Sequence, residues 1–330
     1  MATNLKRILA TESLSPAGRS VIDARDDIEM VHFPHHLTGE DFQKRMREVA
    51  PVHAVILGAS RFGGAELDAA GEMMVVARVG VGYDAIDIPT MTQHKIPVMI
   101  AGVANSPSVA EQAMFMMLNL AKRATELDAL VRERRWNDRF TTVPFDLFEK
   151  NVLVVGFGRI GSRTAKRCNA MEMNVLVYDP YKSDEEIGSA GCTAVRDLDA
   201  ALERADFVTI HCPKTPETVN MFNAERLGRM KETAYLVNTA RGGIINETDL
   251  FSALTENKLA GAGLDVLELE PPSEDNPLLA LDNVILAPHM AGVTREAMGR
   301  MGEAAAKNIL SVFDGVPMRE NMVNPEVLDQ

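Results

Sequence analysis

Short runs of consecutive apolar residues, separated by segments in which apolar positions recur every three or four residues, occupy most of this chain. The runs Arg7-Ile8-Leu9-Ala10, Ile28 to Phe33, Ala54-Val55-Ile56-Leu57, Val75 to Val79 and Val98-Met99-Ile100 read as strands, and Val152-Leu153-Val154-Val155 further on is apolar throughout. That is the mark of strands buried on both faces. Between them, Pro16 to Ala24, Gly39 to Val49 and Ala65 to Ala70 carry helical spacing, so the first hundred residues predict a small parallel α/β sheet. The alternation resumes past residue 151, with strands expected near 152–155, 174–178, 206–210, 234–238, 261–266 and 284–287. A final helix over 294–313 is expected to return to the first sheet.

A long helix is expected to link the two halves and to open at Ser108, where Ser108-Val109-Ala110-Glu111 fits a capping box behind Pro107. Its apolar residues, including Ala113, Met114, Met116, Met117 and Leu118, run nearly all round, which predicts burial. The charged stretch 127–140, with the only tryptophan, Trp136, predicts an exposed excursion suited to embracing a second copy, hence a homodimer. The expected fold is α/β, with two Rossmann-like domains on parallel sheets. One is a flavodoxin-like unit from 1–104 with 297–330, and the other a doubly wound unit from 105–296. A cleft is expected between them, where strand C-termini bind ligands.

One segment of the second half narrows the chemistry. The strand Val152 to Val155 runs into Gly156-Phe157-Gly158-Arg159-Ile160-Gly161, then a helical stretch, then the strand Asn174 to Tyr178 that stops at Asp179. Gly156 permits a tight turn, Gly158 lets backbone N–H groups approach a pyrophosphate, and Gly161 lets helix and strand pack closely. The helix N-terminus adds partial positive charge, and Arg159 is placed to reach a phosphate oxygen. A glycine-rich turn alone is common, but here it sits inside a complete βαβ unit, which predicts a dinucleotide site. Asp179 lies where a carboxylate accepts both ribose hydroxyls and would repel a 2′-phosphate, so NAD is expected over NADP, with Lys182 a partial offset.

Composition removes other classes. At 330 residues and 46% hydrophobic the chain can bury the cores of two domains. A net charge of −13 disfavours nucleic acid or an anionic membrane as partner, and an anionic substrate would then need local arginines. No apolar run suits a membrane span, and Met1 to Ala10 lacks a signal-peptide core, so a cytoplasmic location is expected. Cys168, Cys192 and Cys212, an odd count without CxxC spacing, suit reduced thiols. His32, His35 and His36 lack a completing ligand, and no metal is expected.

Arg241, Glu270 and His289 each follow a predicted strand of the second half. Parallel strands end on one edge, so the three can converge beside a nicotinamide. Each has a plainer reading: Arg241 as a helix-capping or phosphate-binding group, Glu270 as a solvated residue held extended by Pro271 and Pro272, His289 as a core histidine.

From about residue 50 to 300 the chain resembles the D-isomer-specific 2-hydroxyacid dehydrogenases, nearest their 3-phosphoglycerate dehydrogenase and hydroxypyruvate reductase branches. The resemblance is carried by Arg78-Val79-Gly80-Val81-Gly82-Tyr83-Asp84, Ser108 to Glu111, Gly156 to Gly161, Tyr178-Asp179-Pro180, Val237-Asn238-Thr239-Ala240-Arg241-Gly242-Gly243, Leu264-Asp265-Val266, Glu270-Pro271-Pro272 and Pro288-His289. It implies an NAD-dependent reduction of a 2-keto acid or its reverse. His289 would exchange a proton with the substrate oxygen, Glu270 would favour its imidazolium, and Arg241 would clamp the carboxylate. It further implies cofactor contacts at Arg159, Ile160, Asp179, Thr239, Ala240, Asp265, Ala291 and Gly292, with Cys212 on the adenine side, and substrate contacts at the backbone of Val81 and Gly82.

The chain departs from the phosphoglycerate pattern where that branch places an arginine, near Gly58, although Arg61 and Arg78 stand close by as substitutes. After His289 it reads Met290-Ala291-Gly292-Val293-Thr294, and no regulatory serine-binding module is expected. The substrates in view are therefore hydroxypyruvate, glyoxylate, or a phosphorylated or sulfonated three-carbon acid. Glu270, where formate dehydrogenases carry glutamine, argues against that activity. The alternative of a different kind is a non-catalytic, NAD-sensing scaffold resembling corepressors of this fold.

Overall fold

The computed structural model describes residues 5–329, so the first four residues of the N-terminal stretch read above lie outside it. The chain divides into two compact units: one made of the residues up to Asn105 with those from Gly292 onward, the other of Ser106–Ala291. Among the described residues no helix is long and apolar enough to cross a membrane.

In the first unit β1 (Lys6–Thr11), α1 (Pro16–Asp23), β2 (Ile28–Phe33), α2 (Gly39–Glu48), β3 (Ala54–Leu57), α3 (Gly64–Ala70), β4 (Val75–Arg78), α4 (Ile88–Gln93) and β5 (Val98–Met99) follow one another. The strands pair in parallel in the order β2-β1-β3-β4-β5, the flavodoxin arrangement. Strand residues alternate between two cores. Leu9, Val55, Leu57, Val76 and Val98 pack with Phe33, Phe42, Met46, Phe62 and Met91. Ile8, Ala10, Ala54, Ile56, Val75 and Ala77 face the opposite way. Helix α4 was not legible in the sequence: it has six residues, too few for periodicity, and Asp87 caps it by accepting the Thr90 N–H at 3.1 Å.

The second unit opens with α5 (Ser106–Lys122), α6 (Ala124–Arg132) and a 3-10 turn at Trp136–Phe140. Helix α5 therefore starts two residues before the expected Ser108. Proline is tolerated in a first helical turn because its missing N–H has no intrahelical partner there, so Pro107 lies inside the helix and Ser108 is buried in it rather than capping it. The stretch 127–140, read as an exposed excursion, divides between the end of α6, where Leu130 is buried, and the 3-10 turn, and from Val131 onward it is almost entirely exposed.

Then come β6 (Asn151–Val155), α7 (Gly161–Ala170), β7 (Asn174–Tyr178), α8 (Asp184–Ser189), the two-residue β8 (Thr193–Ala194), α9 (Leu198–Leu202), β9 (Phe207–Ile210), α10 (Ala224–Leu227), β10 (Tyr235–Asn238), α11 (Glu247–Thr255), β11 (Gly261–Leu264) and β12 (Val284–Leu286). All pair in parallel in the order β12-β11-β10-β9-β6-β7-β8. The winding direction reverses between β6 and β9, so the loops after these two strands meet at the switch point.

The chain then returns to the first unit as α12 (Arg295–Phe313), capped by Thr294, whose Oγ1 accepts the Ala297 N–H at 3.1 Å. It crosses α1 at a close approach of small residues: a Cβ on Gly18 would stand 2.6 Å from the Gly302 carbonyl oxygen. Beyond it, Met322 bridges Met99 in antiparallel fashion, and Asn324 accepts the Val98 N–H at 2.8 Å while donating to the Ile96 carbonyl at 3.0 Å. The tail thus covers the free edge of β5.

Candidate active site

The three glycines after β6 each meet a different physical demand. Gly156 has φ +95°, and a Cβ there would lie 2.7 Å from the Cys212 nitrogen. A Cβ on Gly161 would stand 1.9 Å from the Gly156 carbonyl oxygen. A Cβ on Gly158, by contrast, would meet no neighbouring side chain or loop within 4 Å. The first two are required by the protein's own packing, while the space over the third is left for something else. Ile160 caps α7, whose first turn holds no acidic residue that would compete with an anion, and Arg159 is exposed at the loop tip.

Asp179 is fixed against this loop. Its Oδ2 accepts the Phe157 N–H at 2.7 Å and its Oδ1 the Tyr181 N–H at 2.8 Å. Beside it lies an open depression of about 520 Å³ lined by Tyr178, Pro180, Tyr181, Lys182, Ser183 and Arg196. Its two cations are already engaged. Lys182 pairs with Glu186 at 2.9 Å. Arg196 donates to the carbonyls of Asp179 and Lys182 at 2.9 and 2.8 Å and pairs with Asp184. Lys182 is therefore committed to a carboxylate other than Asp179, and the offset expected of it is weak.

Under the glycine loop sits a residue whose part the sequence did not suggest. His211, directly after β9, is half-buried, with Nε2 2.9 Å from Thr209 Oγ1 and a buried Nδ1 without a hydrogen-bond partner. Burial pushes its pKa down to about 3, so the ring is neutral at physiological pH. The neighbouring Cys212 is half-buried, and burial raises its thiol to about 11.

The loops after β10, β11 and β12 carry the other candidates. The buried Asn238 knots the first of them, accepting the Ala240 N–H at 3.0 Å and donating to the Arg241 carbonyl at 2.8 Å. Arg241 Nη1 donates to the Ala240 carbonyl at 2.6 Å. Thr239, also buried, has a hydroxyl without a hydrogen-bond partner. Gly242 presses on the next loop, since a Cβ there would stand 1.8 Å from the Leu267 carbonyl oxygen.

On that next loop Glu270 Oε1 accepts the Leu267 N–H at 3.1 Å, and Oε2 lies 2.7 Å from His289 Nδ1. His289 occupies the left-handed backbone region at φ +55°, which costs a non-glycine residue about 1 kcal/mol or more and has to be held by its surroundings. Asp265 supplies the hold. Its backbone carbonyl accepts the His289 N–H at 2.8 Å, and its two carboxylate oxygens accept those of Met290 and Ala291 at 2.9 Å each. Desolvation raises the pKa of this buried carboxyl above the ordinary range. Among the residues read from sequence as cofactor contacts, Asp265 thus spends both oxygens on the histidine loop. Ala291 is buried next to it, and Gly292 packs on Asn105, whose Nδ2 a Cβ at 292 would meet at 2.7 Å.

The remaining predicted substrate residues belong to the first unit. Arg61 is exposed on the loop after β3. Arg78 ends β4 and lies over Gly80, and Val81 and Gly82 are half-buried on the loop that follows. Leu57 and Arg78 are register partners, so these two loops leave the same edge of the first sheet.

The second unit has features that fit a dinucleotide: the open space over Gly158, an unopposed helix N-terminus, a carboxylate at the end of β7 and the unpartnered Thr239 hydroxyl. Residues 114–291 match the family model described as "D-isomer specific 2-hydroxyacid dehydrogenase, NAD binding domain". The D-3-phosphoglycerate dehydrogenase of Archaeoglobus fulgidus is 41% identical over 288 residues, covering 87% of this chain and 54% of that protein. The glyoxylate reductase of Thermofilum pendens is 41% identical over 266 residues, covering 79% of this chain and 78% of that one. A solved structure of D-lactate dehydrogenase from Aquifex aeolicus, complexed with NAD and lactic acid, superposes with TM-score 0.83 at 27% identity, covering 96% of this chain and 99% of that one. The chain spans a little over half the length of the phosphoglycerate dehydrogenases it matches.

Proposed function

The chain belongs to the D-isomer-specific 2-hydroxyacid dehydrogenases, and from that premise we propose that it interconverts a small 2-keto acid and its D-2-hydroxy acid using NAD. The observation that carries the proposal is the 2.7 Å contact of Glu270 with His289, on a loop that packs against the Arg241 turn. When bound, the nicotinamide cofactor supplies the hydride in reduction and accepts it in oxidation. His289, with Nδ1 turned to the carboxylate, keeps Nε2 for giving a proton to the substrate oxygen and for taking it back in the reverse direction. Glu270 orients the ring. Arg241 offers planar paired donors to the substrate carboxylate. Gly158 and the first turn of α7, with Arg159, Ile160 and Gly161, would hold the pyrophosphate, and Asp179 the ribose. Thr239, Ala240 and Cys212 would complete the cofactor contacts.

From the first unit, Arg61, Arg78, Val81 and Gly82 are assigned to substrate binding. NADH oxidation across glyoxylate, hydroxypyruvate and 3-phosphohydroxypyruvate tests the whole reading. Turnover of at least one is expected, and none at all would overturn it. Preference for the doubly anionic acid would implicate Arg61 or Arg78, whereas preference for glyoxylate would leave them structural.

Two accompanying features belong to the same proposal. The segment from α5 to Phe148 exposes Phe115, Val131, Trp136, Phe140, Val143 and Phe148, which supports a homodimer formed through it. The three free thiols support a reducing, cytoplasmic location.

A further inference from the structure

We propose that Glu247 is a positioning residue for the acid–base pair: with Glu268 it forms a reciprocal clasp that fixes the loop bearing Glu270, and through it His289. The inference rests on the function proposed above. Glu247 is the first residue of α11, and its N–H donates to Glu268 Oε1 at 3.0 Å. In return the Glu268 N–H donates to Glu247 Oε1 at 2.5 Å. The second oxygen of Glu247 accepts Asn276 Nδ2 at 2.9 Å. One carboxylate therefore grips the irregular Glu270 loop at two points, before and after its prolines. Asn276 in turn caps the turn Pro277–Ala280, accepting the Leu278 N–H at 3.0 Å.

The gripped loop has no ladder of its own between the end of β11 and that turn, so side-chain acceptors set its shape. Glu270 sits two residues from Glu268, and its Oε1 is held by the Leu267 N–H. Leu267 is also where Gly242 makes its close approach, one residue from Arg241. The clasp thus joins α11, the Arg241 turn and the Glu270 loop into one support. Glu247 touches no reacting atom, so its effect passes through Glu270. A displacement of the order of 1 Å at a proton-transfer pair is enough to cost up to about a hundredfold in rate.

The test uses the full chain with NADH and whichever of glyoxylate, hydroxypyruvate and 3-phosphohydroxypyruvate turns over fastest in the wild type. Glu247→Ala should lower kcat about tenfold while the KM for NADH and the NADH-binding stoichiometry stay at wild-type values. Glu247→Gln, which keeps an oxygen for the Glu268 N–H, should recover most of the loss. In a Glu270→Ala background the Glu247→Ala change should cost nothing more, because the residue it acts through is gone. Should Glu247→Ala fold poorly, Glu268→Ala removes the other half of the clasp and should give the same kcat loss. An unchanged kcat in both variants, a Gln variant no better than Ala, or a full tenfold loss persisting without Glu270 each overturns the clasp while the reaction stands. A wild type inert toward all three acids overturns the functional reading and this inference together.

Discussion

Glu270 and His289 meet at 2.7 Å although they leave different strands, Glu270 six residues after the end of β11 and His289 three residues after the end of β12. The contact occupies Nδ1, so the ring nitrogen available to a ligand is Nε2. Because β11 and β12 are parallel neighbours, the two loops start from the same sheet edge, and Asp265 locks the second of them through three backbone N–H groups.

Replacing the histidine separates chemistry from backbone. His289→Ala should cut kcat by at least about 100-fold, the usual worth of a positioned acid, with NADH affinity near wild type. His289→Asn should lose as much activity but less thermal stability, since asparagine tolerates the left-handed backbone better than alanine. Steady-state kinetics beside melting curves checks both. Most of the kcat surviving in either variant would remove His289 from the mechanism.

Arg241→Lys should lower kcat/KM for the keto acid by about tenfold or more and leave NADH binding intact, because one ammonium cannot reproduce a planar fork. If NADH binding weakens instead, the guanidinium serves the cofactor side.

The glycine loop offers a paired contrast. Gly161→Ala forces a Cβ into the Gly156 carbonyl and should destabilise the protein by about 2–3 kcal/mol, the scale of overpacking. Gly158→Ala has open space and should change stability by no more than about 0.5 kcal/mol. It should nevertheless weaken NADH binding by about tenfold, the equivalent of about 1.4 kcal/mol of obstructed contact. Denaturant melts and NADH fluorescence titrations would separate the two, and equal effects on both variants would refute the reading.

Asp179 should set cofactor choice. Wild-type kcat/KM is expected to favour NADH over NADPH by at least about tenfold, and Asp179→Asn should narrow the gap by removing charge while keeping an oxygen for the Phe157 or Tyr181 N–H. Comparable use of both cofactors by the wild type would show that the carboxylate does not face the ribose.

His211 gives a pH signature. Its folded pKa, about 3, lies below the ordinary 6.5, so as pH falls below 6.5 the unfolded chain takes up a proton that the folded chain refuses. Stability contributed this way is present above pH 6.5 and declines as pH falls toward 3, by up to about 1.4 kcal/mol per pH unit. His211→Asn removes the titrating group and should flatten the fall of the urea midpoint between pH 6.5 and 4.5. An unchanged slope would mean that other groups carry the acid sensitivity.

The sheets were legible because β3, β4, β6 and β9 are apolar nearly throughout, as strands covered on both faces must be. Short elements such as α4 and β8 have too few positions to display a period, and the start of α5 was misplaced because Pro107 looks like a boundary while fitting a first turn. That Arg241, Glu270 and His289 follow strands could be read directly, since parallel strands end on one edge. The supports of those residues could not. Asp265 with Met290 and Ala291, or Glu247 with Glu268, are pairs more than twenty positions apart with at least one member on an irregular loop, where no spacing rule relates one to the other.

The first sheet is closed by segments that follow the second unit in sequence: α12 lies against α1, and the residues around Met322 and Asn324 seal β5. During translation the strands β1 to β5 leave the ribosome well before their covering does, and at roughly 5–20 residues per second they wait on the order of ten seconds or more. The continuous segment Ser106–Ala291 has no such delay. Vectorial synthesis therefore favours the later-encoded half as the earlier to mature, with the leading half exposed to chaperones until the last helix emerges.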